Sequence, residues 1–130
     1  EQLGRELSPD SKEMEMNHGI KTIIVPVKDL AGAKALYTAL LGVEPYADAP
    51  YYVGFRVGEQ EIGLDPNGHS NGQTGPIGYS HVDDIEASLK ALLDAGAQPE
   101  QAVNDVGGGR LIASVRDTDG NVTGLRQDPR

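Results

Sequence analysis

The apolar positions along this chain change period several times. A β-branched run over 20–27 (IKTIIVPV) predicts a strand buried on both faces. From Leu30 the spacing switches, with Leu30, Ala33, Leu36, Tyr37, Leu40 and Leu41 at i, i+3 and i+4 intervals. That predicts a helix over Leu30–Leu41, with Asp29 as N-cap and Gly42 as C-cap. Three short strands follow, at 43–47, 51–57 and 61–64, the last two joined by a tight turn at Gly58. Residues 65–76 (DPNGHSNGQTGP) hold Gly, Asn and Pro in the density of a connector.

The pattern then repeats. A strand over Ile77–Val82 leads to Asp84, which caps a helix over 85–95 closed by Gly96. Strands are expected at 98–104, 110–116 and 121–126, with turns at glycines 107–109 and at Asp119 and Gly120. Asp84 follows Asp29 by 55 positions, and the two helix starts (DLAGAKAL and DIEASLKAL) match in kind. The closing glycine comes 13 residues after the first Asp and 12 after the second. A duplication on this scale implies two like modules, each a βαβββ unit, in an α+β fold.

Composition narrows the picture. With 130 residues the chain suits one domain, here residues 18–130 with modules at about 19–65 and 76–127. Residues 1–17 are polar and lack apolar periodicity. They read as a disordered leader, or as an expression-derived tail before a native start at Met14 or Met16. The aromatic share is 5% and Trp is absent, so Val, Ile, Leu and Ala must fill the core. A small protomer with so lean a core is expected to pair as a homodimer. The net charge of −9 disfavours nucleic acid and anionic membranes as partners. The absence of Cys excludes disulfides, thiolate metal sites and cysteine nucleophiles. With no signal peptide or apolar stretch of membrane-spanning length, the expected location is cytoplasmic.

A strand, a V-x-D-L or V-D-D-I step into a helix, then L-L-G and three strands, all done twice, resembles the glyoxalase / bleomycin resistance protein / extradiol dioxygenase (vicinal oxygen chelate) superfamily. The stretch DTDGNVTGL (117–125) is similar to that family's closing hairpin. The resemblance covers nearly all of residues 19–127 and implies a cleft-forming fold. It does not fix function, since one fold hosts many chemistries. In metal-dependent members four inward side chains, mostly His and Glu, hold a divalent ion. The matching positions here are Thr22 and Ile77, seven residues before each capping Asp, together with Gly63 and Gly124. Thr, Ile, Gly and Gly form no transition-metal site, so the expectation is no metal and no cofactor.

Other residues are candidates for ligand contact within that cleft. Tyr79 and His81 share a strand face with Ile77, and the pair suits a polar ligand group or acid–base work near neutral pH. Tyr52 and Arg56 share one parity, while Val53, Phe55 and Val57 take the other and are expected to meet a helix. Arg126 has the parity of Gly124. An inward arginine suits a ligand carboxylate, although both arginines also fit solvated strand ends. Gly63 and Gly124 are expected to widen the groove. Glycines 107–109 lack a phosphate loop's following Lys and read as a hairpin turn or a mobile lid, and DTDGN reads as a turn. His18 and His69 show no partner in sequence.

Two functions from different classes follow. The first is a metal-free small-molecule-binding protein, similar to resistance proteins that sequester an antibiotic or other natural product. The alternative is a glyoxalase-like lyase or isomerase, or a dioxygenase-like enzyme, using His81 and Tyr79 or a non-standard metal site. An accessory module without small-molecule chemistry is a third reading, with no residue in its favour.

Overall fold

The computed structural model describes residues 17–129. The elements run β1 (Asn17–Pro26), α1 (Leu30–Leu41), β2 (Ala47–Ala49), β3 (Tyr52–Val57) and β4 (Gln60–Asp65). After a short 3-10 turn at His69–Asn71 come β5 (Ile77–Val82), α2 (Ile85–Asp94), β6 (Gln98–Asp105), β7 (Leu111–Arg116) and β8 (Val122–Gln127). Two compact units result among the described residues: Ile20–Tyr79, and 80–129 together with 17–19. Strand order is β2-β3-β4-β1 in the first module and β6-β7-β8-β5 in the second. Each module thus sets its first strand beside its fourth, and the expected duplication holds in topology as well as in sequence. In the first module that junction is parallel, with Thr22 opposite Glu61 and Ile24 opposite Gly63.

The first helix begins and ends as the sequence predicts, and the second begins at Ile85 as predicted but ends at Asp94, with Ala95 and not Gly96 as its C-cap. The Asp29 carboxylate accepts from the Gly32 N–H at 3.0 Å, and Asp84 accepts from the Ala87 N–H at 3.0 Å. Each bond satisfies one of the donors that the first helical turn leaves without a carbonyl. Gly42 takes the left-handed conformation (φ 72°), and its N–H reaches the Thr38 carbonyl. Asp84→Ala is therefore expected to lower stability by about 1 kcal/mol. Urea unfolding checks this, and an unchanged midpoint would remove the cap from the account.

Each module has its own core. In the first, Val53, Phe55 and Leu64 are buried under Leu30, Ala33, Tyr37 and Leu41 of α1. In the second, Val82, Ile85, Ala113 and Leu125 are buried, with Leu89 and Leu92 of α2 packed on them. Alternate strand positions therefore point away from the helix in both modules.

Several expectations need correction. β1 is not buried on both faces: Ile20 is 56% and Ile23 41% exposed. Its β-branched content reflects fitness for a pleated strand, not coverage by neighbours. The second strand lies at Ala47–Ala49 and not at 43–47, consistent with Pro45, which lacks the N–H a ladder needs. Of the expected 1–17 leader, Asn17 instead opens β1, and residues 1–16 lie outside the described residues. His18 has a partner, its Nε2 lying 2.9 Å from Asp83. The glycine-rich stretch is a hairpin turn, closed by the Val106 N–H on the Arg110 carbonyl. Asp117 accepts backbone bonds from Asp119 and Asn121, as a turn requires. Among the described residues no helix is long and apolar enough to cross a membrane.

Candidate functional site

In the first module the face turned away from α1 is built from the positions that alternate with the core. Gly54 and Gly63 are register partners on β3 and β4, and Arg56 is opposite Glu61 one step along. Two tyrosines cover the glycine pair. A Cβ on Gly63 would lie 2.2 Å from the Tyr52 hydroxyl oxygen, and one on Gly54 would lie 3.0 Å from atoms of the Tyr46 ring. Glycine is needed at both places because the aromatic rings occupy the side-chain space. The Arg56 guanidinium then stacks on Tyr46, its carbon 3.9 Å from the ring centroid.

The same face holds a buried carboxylate. Glu61 is only 7% exposed and its register partner Thr22 only 2%. The Arg56 Nε donates to Glu61 at 2.9 Å, and the Thr22 hydroxyl donates to its other oxygen at 3.5 Å. A carboxylate this deep requires a counter-charge and donors, and Arg56 supplies both. The Arg56 side chain is itself 55% exposed, so the pair leads from the interior out to solvent.

In the second module Val82 and Leu125 enter the core, which leaves His81 and Arg126 on the opposite face with Gly124. Arg126 is 5% exposed, and its Nε donates to the Asp128 carboxylate at 2.8 Å. Arg110 approaches the same carboxylate at 3.4 Å. Burial would raise the Asp128 carboxyl, but the Arg126 hydrogen bond, the charges of Arg126 and Arg110, and that of His81 outweigh it. The group is held below its ordinary range. Ser114, buried and opposite Gly124, adds a hydroxyl to this module.

Tyr79 is buried on its strand, and burial first, then the nearby Asp65 charge, pushes its phenol above the ordinary value of 10.0. With the folded value raised above the unfolded one, the neutral phenol's contribution to stability is complete below about pH 10. It is lost as pH rises through the folded value. In an absorbance titration at alkaline pH, one of the five tyrosines should ionise last, and Tyr79→Phe should remove that component. Five phenols ionising together in the native protein would contradict this.

Of the residues expected at a site, Tyr52 and Arg56 thus share one face of the first module. His81 and Arg126 are linked through Asp128 in the second. Tyr79 is buried beside the charge of Asp65. The sequence reading missed Glu61, Tyr46, Asp128, Arg110 and Ser114. Glu61 was findable, because a tight turn at Gly58 fixes the register that sets Arg56 opposite it. Asp128 shares the strand parity of Arg126 and was findable by the same alternation.

The expected widening of the groove does not hold at Gly63, because Tyr52 fills the space. The fit to a divalent ion also fails in the first module. The Thr22 hydroxyl is engaged by Glu61, and the place of a ligand side chain on Gly63 is taken by a phenol ring. Among the described residues no group of three or more His, Cys, Asp or Glu is placed to hold a metal ion.

Comparison with known proteins places this geometry. The chain resembles methylmalonyl-CoA epimerase from Mycobacterium tuberculosis at 16% identity and TM-score 0.67, covering 97% of this chain and 95% of that one. It also resembles a glyoxalase/bleomycin resistance protein/dioxygenase superfamily member from Vibrio splendidus 12B01, at 17% identity and TM-score 0.65, over 83% and 97% of the two chains. The Mn(II)-bound glyoxalase from Novosphingobium aromaticivorans matches at 19% identity and TM-score 0.65, over 87% of this chain and 40% of that one. At such identities these likenesses establish the fold alone. No protein of curated function matches the chain by sequence. The family model "Glyoxalase/Bleomycin resistance protein/Dioxygenase superfamily" matches residues 19–125, and the chain belongs to that superfamily.

Proposed function

We propose that this protein binds an organic small molecule without a metal, as a sequestering protein for an antibiotic or other natural product. The observation that carries the reading is the substitution at the chelating positions of the first module. Tyr52 fills the place of a ligand side chain on Gly63, and Thr22 is tied to Glu61. A face of Tyr46, Tyr52 and Arg56 offers π surfaces and a charged hydrogen-bonding pair, which suits a planar polar molecule. Such proteins seat ligands between protomers, so the reading includes a cytoplasmic homodimer, with exposed Ile20, Leu36, Leu40 and Tyr51 supplying apolar surface. Calorimetry against cationic and aromatic natural products should find a saturable binder that survives chelator treatment. Light scattering should give twice the chain mass. Stoichiometric zinc, nickel or iron in protein purified without chelator, or silence across a broad panel, would overturn the reading.

Glu61 favours a second reading, a lyase or isomerase. A buried carboxylate beside a hydroxyl and a guanidinium has the composition of a general base with its orienting groups. Fold neighbours include a glyoxalase and a methylmalonyl-CoA epimerase, so glutathione-hemithioacetal isomerisation and methylmalonyl-CoA epimerisation are the assays. Turnover lost in Glu61→Gln would support it, and turnover unchanged in His81→Ala would remove His81 from that mechanism.

A further inference from the structure

The two modules share a topology, but their helices do not share a surface. On α2 the residues turned away from the core include Glu86, Lys90 and Asp94, all exposed, with Lys90 paired to Asp94 at 2.7 Å. That is the ordinary amphipathic arrangement. α1 is apolar all round. Leu30, Ala33, Tyr37 and Leu41 pack on the first core, and the other side presents Ala31, Gly32, Ala35, Leu36, Ala39 and Leu40, all exposed. Leu36 is 61% and Leu40 69% exposed. The one charge on the helix, Lys34, is neutralised within the module by Asp48 of β2. The same ion pair ties α1 to the β2–β3 hairpin, whose turn exposes Tyr51. A helix without a polar face is suited to cover on both sides, and the sheet covers only one.

We propose that this face of α1 is the contact through which two copies of the chain pair, α1 against α1 about a two-fold axis. Shape and charge together select a second copy as the occupant. Gly32, Leu36 and Leu40 form one row at i+4 spacing, and Ala31, Ala35 and Ala39 form the row beside it. A leucine ridge next to an alanine trough is self-complementary. Under two-fold symmetry each ridge lies in its partner's trough, as ridges pack into grooves. The net charge of −9 sets two copies against each other over most of their surface. An uncharged face is where they approach with least repulsion, whereas a basic partner would be drawn to the acidic surface instead. The area sets the strength. Two leucines, three alanines and a tyrosine ring fall below the roughly 1,200 Å² at which standard specific interfaces begin, so the dimer is reversible, with a Kd in the micromolar range.

This pairing rests on the homodimer of the proposed reading and names the surface that forms it. Sedimentation equilibrium of the full chain should show a monomer–dimer equilibrium. It should tighten by about threefold or more as NaCl rises from about 10 to 150 mM, since screening relieves the repulsion between copies. Leu36→Lys and, separately, Leu40→Glu should each weaken pairing by about tenfold or more, because each places a charge in an apolar contact. Lys and Glu are good helix formers, so the fold is kept, and circular dichroism checks it. Glu86→Gln on α2 should leave pairing nearly unchanged. The chain has no cysteine, so Ala35→Cys carries a single thiol that a short bis-maleimide can join only to another copy. Crosslinked dimer is expected from Ala35→Cys and not from Ala87→Cys on α2, and this arm decides the matter should the charged variants fail to fold. A dimer that survives both charged variants, that is linked through Ala87→Cys instead, or that weakens with salt would overturn the α1 contact and leave the homodimer to another face. A single-chain mass at every concentration and salt would overturn the contact and the homodimer together, with metal-free ligand binding still decided by calorimetry.

Discussion

Phe55→Ala is expected to cost about 3–5 kcal/mol of folding stability, the largest effect of any single substitution in the first module. The side chain is fully buried and is the only phenylalanine in the chain. It packs with Val53 and Leu64 under α1, and its ring centroid lies 6.4 Å from that of Tyr37 in a tilted arrangement. Apart from Tyr37, which is anchored on α1, the neighbours are aliphatic side chains too small to fill the vacated space, so the cavity persists. Total stabilities of small domains run to about 5–15 kcal/mol, so the variant should lose a large part of the whole. Guanidinium unfolding measures the loss. A value near 1 kcal/mol would show that α1 settles into the gap and that the module does not depend on this ring.

The role of Phe55 was legible from alternation alone, as were the helices. Asp29 and Asp84 cap through atoms three residues away, and Gly42 ends its helix through its own backbone, so local sequence contains all the information these features use. Exposure of β1 was not legible, because Ile20 and Ile23 read the same whether or not another surface covers them. The position of β2 was missed for a related reason. A short edge strand is defined by the partner it finds, and Ala47 finds Gly54. At the site, parity placed Tyr52 and Arg56 on the correct face and could go no further. That Tyr52 lies over Gly63, and Tyr46 over Gly54, depends on ring direction across the pleat, which no one-dimensional pattern encodes. The family resemblance misled at this point in an instructive way. It marked Gly63 as an emptied ligand position, whereas the structure shows the position refilled from the neighbouring strand.

That refilling makes Gly63→Ala the sharper test of the site. Alanine is ordinarily better than glycine in a strand, and Gly63 has no positive φ to protect. On backbone grounds the change should stabilise. The added Cβ, however, would sit 2.2 Å from the Tyr52 hydroxyl oxygen and 2.7 Å from two ring carbons, so the ring must leave. Swinging out about χ1 relieves the clash but forfeits the ring's contacts on the glycine pair, and overpacking of this kind costs about 1–3 kcal/mol. Gly54→Ala, with its nearest atoms at 3.0 Å, should cost less than Gly63→Ala. The cause is separable by a double-mutant cycle with Tyr52→Ser, which removes the obstructing ring. If the clash is the origin, the double variant should be more stable than the sum of the single effects predicts, by at least 1 kcal/mol or so. Additive losses would mean that Gly63 is needed for some reason other than Tyr52. The site would then have to be rebuilt without the tyrosine that distinguishes it from a chelating one.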